Sequence, residues 1–128
     1  YVRSLPEEIQ LVVIDASFIS LTVFWPVIKT WFGGAGGQVV ALIKPQFEAG
    51  RKQTAKGEGV IRDPAVHIQV LADVLEQARA EEYDLHGLIT SPILGPKGNR
   101  EFLLHLSYPG NGTGDIEQLI SSLHFMND

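Results

Sequence analysis

Three charged residues stand at the ends of apolar segments, where side chains of opposite charge could work together. Asp15 follows the run Leu11–Ile14, Lys44 ends a second run that starts at residue 38, and Glu101 opens a third. Because a buried amine is costly without a partner, Lys44 either reaches water or is held at the sheet edge for a purpose. The three could form one site of ionisable groups. A structural Asp–Lys–Glu network is the alternative that the spacing alone leaves open.

The order of the segments predicts an α/β fold. Continuous apolar runs are typical of parallel strands covered on both faces, and strands that alternate with helices imply right-handed crossovers. A short turn between the last two strands predicts one antiparallel neighbour, so we expect a mostly parallel sheet with helices on both faces. The predicted strands are residues 11–14, 38–44, 85–93 and 101–108, and the predicted helices are residues 20–32, 63–83 and 115–124.

The second predicted helix has the clearest start signal. Asp63 is a typical N-cap residue, and proline is favoured at the first helical position, where Pro64 stands. Apolar residues then recur at helical spacing. The expected inner face of this helix consists of Ile68, Leu71, Leu75 and Ala78.

Residues 45–62 have no helical or strand periodicity and carry much of the positive charge. A loop longer than about 12–15 residues is usually functional or disordered, so we expect residues 46–59 to be mobile. Basic residues grouped on one side could bind phosphates, although each alone is more typical of a solvated surface charge. The group consists of Arg51, Lys52, Lys56, Arg62, Lys97 and Arg100.

Composition limits the function classes that remain. The chain has 128 residues, enough for one domain, and a formal net charge of −5. It has no cysteine, which excludes disulfide scaffolds and thiolate metal sites. His67 and His105 are too far apart in sequence to predict a metal site without a second motif. No apolar stretch approaches the roughly 20 residues of a membrane span, and the first residues do not read as a signal peptide.

Four linked motifs carry a family resemblance. They are "IDASFISL" from Ile14, "ALIKPQFEAGR" from Ala41, "KGEGVIRDPAVH" from Lys56 and "GPKGNREFLLHL" from Gly95. In this order and spacing, over roughly residues 3–108, the chain resembles the haemolysin-A (TlyA) type of FtsJ-like ribosomal RNA methyltransferase. The resemblance implies a Rossmann-like methyltransferase fold and transfer of a methyl group from S-adenosylmethionine to a ribose 2′-hydroxyl of ribosomal RNA. A ribosomal substrate implies a cytoplasmic protein.

The resemblance also implies roles for individual residues. The family has a Lys-Asp-Lys-Glu tetrad, in which Asp15, Lys44 and Glu101 match the aspartate, the second lysine and the glutamate. Lys44 would help a weakly acidic ribose hydroxyl become a nucleophile, and a lysine is a useful base only when burial or a nearby cation lowers its pKa. Asp15 would also contact the cofactor. Ser17 and Phe18 would contact the substrate, Phe18 by stacking on a base or, alternatively, by packing only.

The resemblance predicts that residues 1–128 form the C-terminal part of one methyltransferase domain. The first lysine of the tetrad, the glycine-rich cofactor turn and an N-terminal S4-type RNA-binding domain do not occur in the sequence. We therefore expect the chain alone to be inactive and to bind S-adenosylmethionine weakly.

Two other function classes remain open from the sequence. The chain could be a non-catalytic RNA-binding or dimerisation module, or, more remotely, a membrane-active haemolysin. No basic amphipathic helix of the membrane-surface type supports the haemolysin reading, so we expect no stable membrane insertion. A dimer is expected through the edge of the strand Leu11–Ile14 or through the helix that carries Trp25 and Trp31, because exposed strand edges and apolar surfaces favour association. The alternative is a monomer in which residues 1–10 fold over that edge.

Overall fold

A computed structural model describes residues 9–50 and 55–123 of the chain. Its centre is one four-stranded sheet with the strand order β1-β2-β4-β3. The strands are rich in β-branched and large apolar residues, which suit a pleated and half-buried surface. They are β1 (Leu11–Ile14), β2 (Gly37–Ile43), β3 (Asp84–Thr90) and β4 (Phe102–Tyr108).

The strand directions confirm the predicted α/β class. Strand β1 runs parallel to β2, and β4 runs antiparallel to both β2 and β3. Strands β1, β2 and β3 therefore point the same way, and β4 is the one antiparallel strand. The register pairs Ile14 with Ala41 and Ile43 with Phe102. The last residues of β1 and β2 therefore lie at the same end of the sheet as the first residue of β4.

The α-helices that lie wholly within the described residues connect or cover these strands, and capping residues set the start of two of them. The Asp63 side chain accepts a hydrogen bond from the Ala65 amide, and the Asp115 side chain accepts one from the Gln118 amide, so each satisfies an otherwise free helical donor. The helices are α1 (Trp25–Ile28), α2 (Pro45–Glu48), α3 (Pro64–Ala80) and α4 (Ile116–Ser121).

The long helix predicted for residues 20–32 is wrong in detail. The segment consists of a 3₁₀ turn at Leu21–Val23, the short helix α1, and a second 3₁₀ turn at Lys29–Trp31. Pro26 lies within the first turn of α1. Proline lacks an amide donor and its ring clashes with the preceding helical turn, so the helix can start at this point but cannot run through it.

The core lies on one face of the sheet, between the strands and the helices. Trp25, Leu71, Leu75, Phe102 and Leu104 have no exposed surface, and they belong to one continuous apolar cluster. The buried Tyr83 hydroxyl, on the loop after α3, donates a 2.6 Å hydrogen bond to the Trp25 carbonyl. Trp25 is therefore a core residue, which removes it from the surface predicted for dimerisation.

Helices on both faces were predicted, and the described residues correct this. The opposite face of the sheet is open: Leu11, Val13 and Ile89 are 57%, 71% and 56% exposed, and His86 and His105 are exposed beside them. Continuous apolar strands predict that both faces of the sheet are buried. They do not indicate which residues bury each face. The sequence pattern therefore could not show which face is bare.

The inner face of α3 differs from the prediction at one position. Ile68 is 43% exposed, whereas Leu71, Leu75 and Ala78 are buried as expected. His67, Val70 and Val74 complete the buried side. His67 takes the place assigned to Ile68 because its Nε2 is 2.9 Å from the Ile61 carbonyl oxygen and its ring meets the edge of Phe102. Burial lowers the pKa of His67, which favours the neutral ring.

Candidate active site

The ion pair between Lys44 and Asp15 forms the centre of the candidate site. Asp15 follows the last residue of β1 and Lys44 follows the last residue of β2, so both lie at the carboxyl end of parallel strands, where α/β proteins bind ligands. The Lys44 amine contacts the Asp15 carboxylate and donates a 3.3 Å hydrogen bond to the Ser17 hydroxyl. The Lys44 side chain is 11% exposed and that of Asp15 is 60% exposed. The amine is therefore enclosed, while the carboxylate stays open to solvent.

A proline explains why the lysine stops the strand. Lys44 has extended backbone angles, and Pro45 is the first residue of α2. Proline fixes its own φ in a range that suits the start of a helix, and it disfavours the α region for the residue before it. The chain therefore turns sharply after Lys44, and the amine remains at the end of the sheet.

Glu101 lies on the neighbouring strand end and is nearly buried, with 5% of its surface exposed. The pairing of Ile43 with Phe102 places Lys44 and Glu101 at facing ends of β2 and β4. The Gln46 side-chain amide donates a 2.9 Å hydrogen bond to Glu101 Oε2, which connects Glu101 to the first turn of α2. Gly95 packs directly on this carboxylate, because a Cβ atom at residue 95 would overlap Oε2.

Phe18 and Phe47 form an aromatic pair beside the ion pair. Their ring centres are 4.7 Å apart, and Phe18 is 86% exposed. The φ angle of Phe18 is 68°, which is uncommon for a bulky residue. Such a backbone conformation persists only where surrounding contacts stabilise it. The pair borders a cleft of about 660 Å³, which Gln46, Ala49, Ala55, Glu58 and Gly59 also line. A large aromatic surface is thus presented at an opening next to Lys44.

The segments that carry the predicted phosphate-binding residues are joined by Asn99. Its buried side chain accepts a hydrogen bond from the Ile61 amide and donates to the carbonyls of Gly59 and Pro96. The Lys97 amine donates to the Glu58 carbonyl. These contacts bring Lys56, Arg62, Lys97 and Arg100 onto two adjoining segments, residues 56–62 and 97–100, which we call the basic loops. Arg51 and Lys52 lie outside the described residues, as does part of the segment predicted to be mobile.

The sequence located the charged residues at the strand ends but missed several residues that hold these strand ends and the loops. Gln46, Glu48, Gly95 and Asn99 all make contacts that position the strand ends or the loops, and none was predicted to do so. Their signal was present, because Gln46 and Glu48 lie in the motif "ALIKPQFEAGR" and Gly95 and Asn99 lie in "GPKGNREFLLHL". Among the described residues, no group of three potential metal-ligating side chains is close enough to hold an ion.

Comparison with known proteins gives this geometry a family. The model of the FtsJ-like methyltransferase family matches residues 2–108. The chain belongs to the FtsJ-like methyltransferase family. The match extends from before β1 to the end of β4, so it includes Asp15, Lys44 and Glu101.

Individual relatives agree with this FtsJ-like assignment. The chain is 46% identical over 112 residues to YqxC, a candidate rRNA methyltransferase of Bacillus subtilis (strain 168), covering 88% of the chain and 38% of the relative. It is 37% identical over 99 residues to the 16S/23S rRNA (cytidine-2′-O)-methyltransferase TlyA of Mycobacterium tuberculosis (strain ATCC 25618 / H37Rv), covering 77% and 36%. The chain therefore spans less than two fifths of the length of either relative.

A solved structure supports the fold of this FtsJ-like chain. The crystal structure of a hemolysin candidate from Lactococcus lactis has a TM-score of 0.81 and 40% sequence identity, and the match covers 91% of the chain and 57% of that structure. In the part of the chain that the structure describes, no helix is both long and apolar enough to cross a membrane.

Proposed function

We propose that the complete gene product transfers a methyl group from S-adenosylmethionine to a ribose 2′-hydroxyl of ribosomal RNA. Residues 1–128 would form the C-terminal part of its methyltransferase domain. The observation that carries the proposal is the Asp15–Lys44 ion pair at the strand ends of an FtsJ-like chain. Relatives named for rRNA methylation support the choice of substrate. A ribosomal substrate would place the protein in the cytoplasm.

In this mechanism the chain supplies the groups that handle the proton. A ribose hydroxyl is a weak acid, so its oxygen attacks readily only when a base removes the proton in the transition state. The Lys44 ammonium would first pass a proton to solvent, and the neutral amine would then accept the hydroxyl proton at Nζ. Asp15 and Ser17 hold the amine at the end of β2. The buried Glu101 carboxylate would provide a polar group at the neighbouring end of β4.

S-adenosylmethionine would fit the open side of Asp15. Its carboxylate pairs with Lys44 through one oxygen and remains 60% exposed, so a cationic ligand can reach it from solvent. S-adenosylmethionine would supply an electrophilic methyl group on a positively charged sulfur. Asp15 would orient the Lys44 amine and favour binding of the cation, because an exposed carboxylate attracts positive charge.

The aromatic pair and the basic loops would hold the RNA. Single-stranded bases are recognised by stacking on aromatic side chains, and Phe18 offers such a surface beside the cleft. Ser17, next to it, would contact the same nucleotide. Phosphates contribute much of the affinity for nucleic acid, and the loops joined by Asn99 present basic side chains to them. The proposed phosphate-binding residues are Arg51, Lys52, Lys56, Arg62, Lys97 and Arg100.

Incubation of the complete gene product with ribosomal subunits and labelled S-adenosylmethionine tests the proposal. We expect incorporation into ribosomal RNA and, after digestion to nucleosides, a 2′-O-methylated nucleoside identified by mass spectrometry. Intact 30S and 50S subunits, compared with naked rRNA, show which assembly is the substrate. Methylation found only on bases, or on protein alone, would contradict the assignment to ribose.

A second proposal concerns the isolated 128-residue chain, which we propose forms a two-fold dimer through β1. Among the described residues this strand is at one edge of the sheet, and its residues Leu11 and Val13 are largely exposed. An unpaired edge favours pairing with another strand, and a two-fold contact covers both edges at once. Exposed apolar residues beside the edge would be buried in the same contact.

Sedimentation velocity at tens of micromolar is expected to detect this dimer. Val13→Lys should shift the chain to monomer, because the substitution places a charge at the contact. Ile93→Lys is a matched control at a position that is 75% exposed and outside the sheet, and it should leave the dimer intact. A well-folded wild-type monomer under these conditions would refute the dimer.

A further inference from the structure

Two short segments run side by side at the candidate site and contact each other at three successive points. Asp15 and Ser17 contact Lys44, and Phe18 packs on Phe47. At the third point, one turn along α2, the Glu48 carboxylate meets the end of the first segment. The loop 15–20 is therefore attached to the segment 44–48 along its whole length.

Glu48 makes the most directional of these contacts. Its Oε1 accepts a 2.6 Å hydrogen bond from the Ser20 hydroxyl, and its Oε2 accepts a 2.8 Å hydrogen bond from the Leu21 amide. Leu21 is 2% exposed and belongs to the core. The carboxylate thus joins α2 to the point where the loop enters the core.

The environment of Glu48 shows that the carboxylate is bound rather than simply solvated. Burial raises the pKa of Glu48, and the hydrogen bonds from Ser20 and Leu21 oppose that rise. A carboxylate withdrawn from water is stable only when its oxygens have donors. Both oxygens of Glu48 are satisfied by the loop, so the loop and α2 stabilise each other.

The loop needs such an attachment because its backbone is strained. Phe18 has a φ angle of 68°, and residues in this region persist only where surrounding contacts over-determine them. Phe18 itself is largely exposed, so it has little burial of its own to hold this conformation. Contacts on either side of it, at Lys44 and at Glu48, hold the backbone in place.

We infer that Glu48 is a positioning residue, which keeps the loop 15–20 against α2 so that Asp15 and Ser17 enclose the Lys44 amine. The inference rests on the proposed function for its catalytic consequence, but the enclosure of Lys44 can be measured without catalysis. Glu48 itself is not a catalytic residue, because it contacts the loop and acts through Asp15 and Lys44.

Trace acylation of the 128-residue chain, followed by peptide mass spectrometry, tests this inference. Labelling of Lys44 is expressed relative to Lys97 in the same sample. Glu48→Ala removes both acceptors, and we expect it to raise that ratio about fivefold or more, since loss of contacts of this kind changes local opening by such a factor. Glu48→Gln keeps an oxygen for the Leu21 amide, and we expect a ratio close to that of the wild-type chain.

Two further variants separate positioning from general loss of stability. Asp84→Ala removes a carboxylate that holds the loop at Asn111 and Thr113, at the opposite end of the sheet, and should leave the Lys44 ratio unchanged. Ser20→Ala removes one of the two donors and should raise the ratio by a smaller amount than Glu48→Ala. An unchanged ratio in folded Ser20→Ala and Glu48→Ala would overturn the inference, as would equal effects of Glu48→Gln and Glu48→Ala.

Kinetics of the complete gene product extend the test. We expect Glu48→Ala to lower kcat for methyl transfer at least tenfold with KM for RNA nearly unchanged, and Glu48→Gln to restore most of kcat. If the wild-type protein transfers no methyl group, the proposed function fails while the labelling result still decides the role of Glu48. If wild-type transfer is normal and Glu48→Ala is as active, the proposed function stands and the positioning role is refuted.

Discussion

Lys44→Ala in the complete gene product is expected to lower the rate of methyl transfer by about a hundredfold to ten-thousandfold, the range associated with loss of a positioned acid or base. The physical reason is that the substitution removes the amine that Asp15 and Ser17 hold at the end of β2. Stability should change little, because Asp15 is already 60% exposed and water can solvate its carboxylate. Single-turnover assays and thermal unfolding measure the two effects.

Two control variants sharpen this experiment. Lys44→Arg keeps the positive charge and the pairing with Asp15, but a guanidinium does not lose its proton in proteins, so it should not restore activity. Lys97→Ala removes a lysine from the basic loops and should weaken RNA binding while leaving the single-turnover rate at saturating RNA nearly normal. Activity of Lys44→Arg near the wild-type level would show that Lys44 acts as a charge and not as a base.

Gly95→Ala is expected to impair the site from the opposite side. A Cβ atom at residue 95 would overlap the Glu101 carboxylate, which is nearly buried and bound by Gln46. Overpacking of this kind typically costs about 1–3 kcal/mol. Displacement of a site residue by about 1 Å can lower activity about a hundredfold. Denaturant unfolding and methyl-transfer kinetics on the same samples measure both losses.

Gly34→Ala provides the matched control for this substitution. Gly34 lies in the turn before β2, and a Cβ atom there would have no neighbour within 4 Å. We expect wild-type stability and activity for this variant. If Gly95→Ala were as stable and active as Gly34→Ala, the packing of Gly95 on Glu101 would have no importance for the site.

The sequence by itself determined the strands, the start of α3 and the charged residues at the strand ends. Apolar runs located all four strands within a few residues, and Asp63 and Pro64 located the start of α3. The prediction that Asp15, Lys44 and Glu101 lie at one end of the sheet required only the direction of each strand, which follows from the alternation of strands and helices and from the short turn before the last strand. These features are local in the chain, so hydrophobic periodicity and capping signals are enough to reveal them.

The partners of the site residues were decided by the tertiary structure. Glu48 meets Ser20 across 28 residues, and Gln46 meets Glu101 across 55. A glutamate or glutamine in an aperiodic segment is usually a surface residue, so its type does not indicate that it is bound. Ser17, predicted to contact substrate, accepts a hydrogen bond from Lys44, because the loop after β1 packs against the segment 44–48.

The exposed surfaces were also beyond the sequence pattern. Ile68 and His67 are neighbours on α3, and only packing against Phe102 and the Ile61 carbonyl decides that the histidine is buried. Val13 has the same apolar character as Val12, yet Val13 is 71% exposed and Val12 is 9% exposed. Periodicity reports that a side chain is suited to burial, whereas burial itself depends on which parts of the fold cover that side of the sheet.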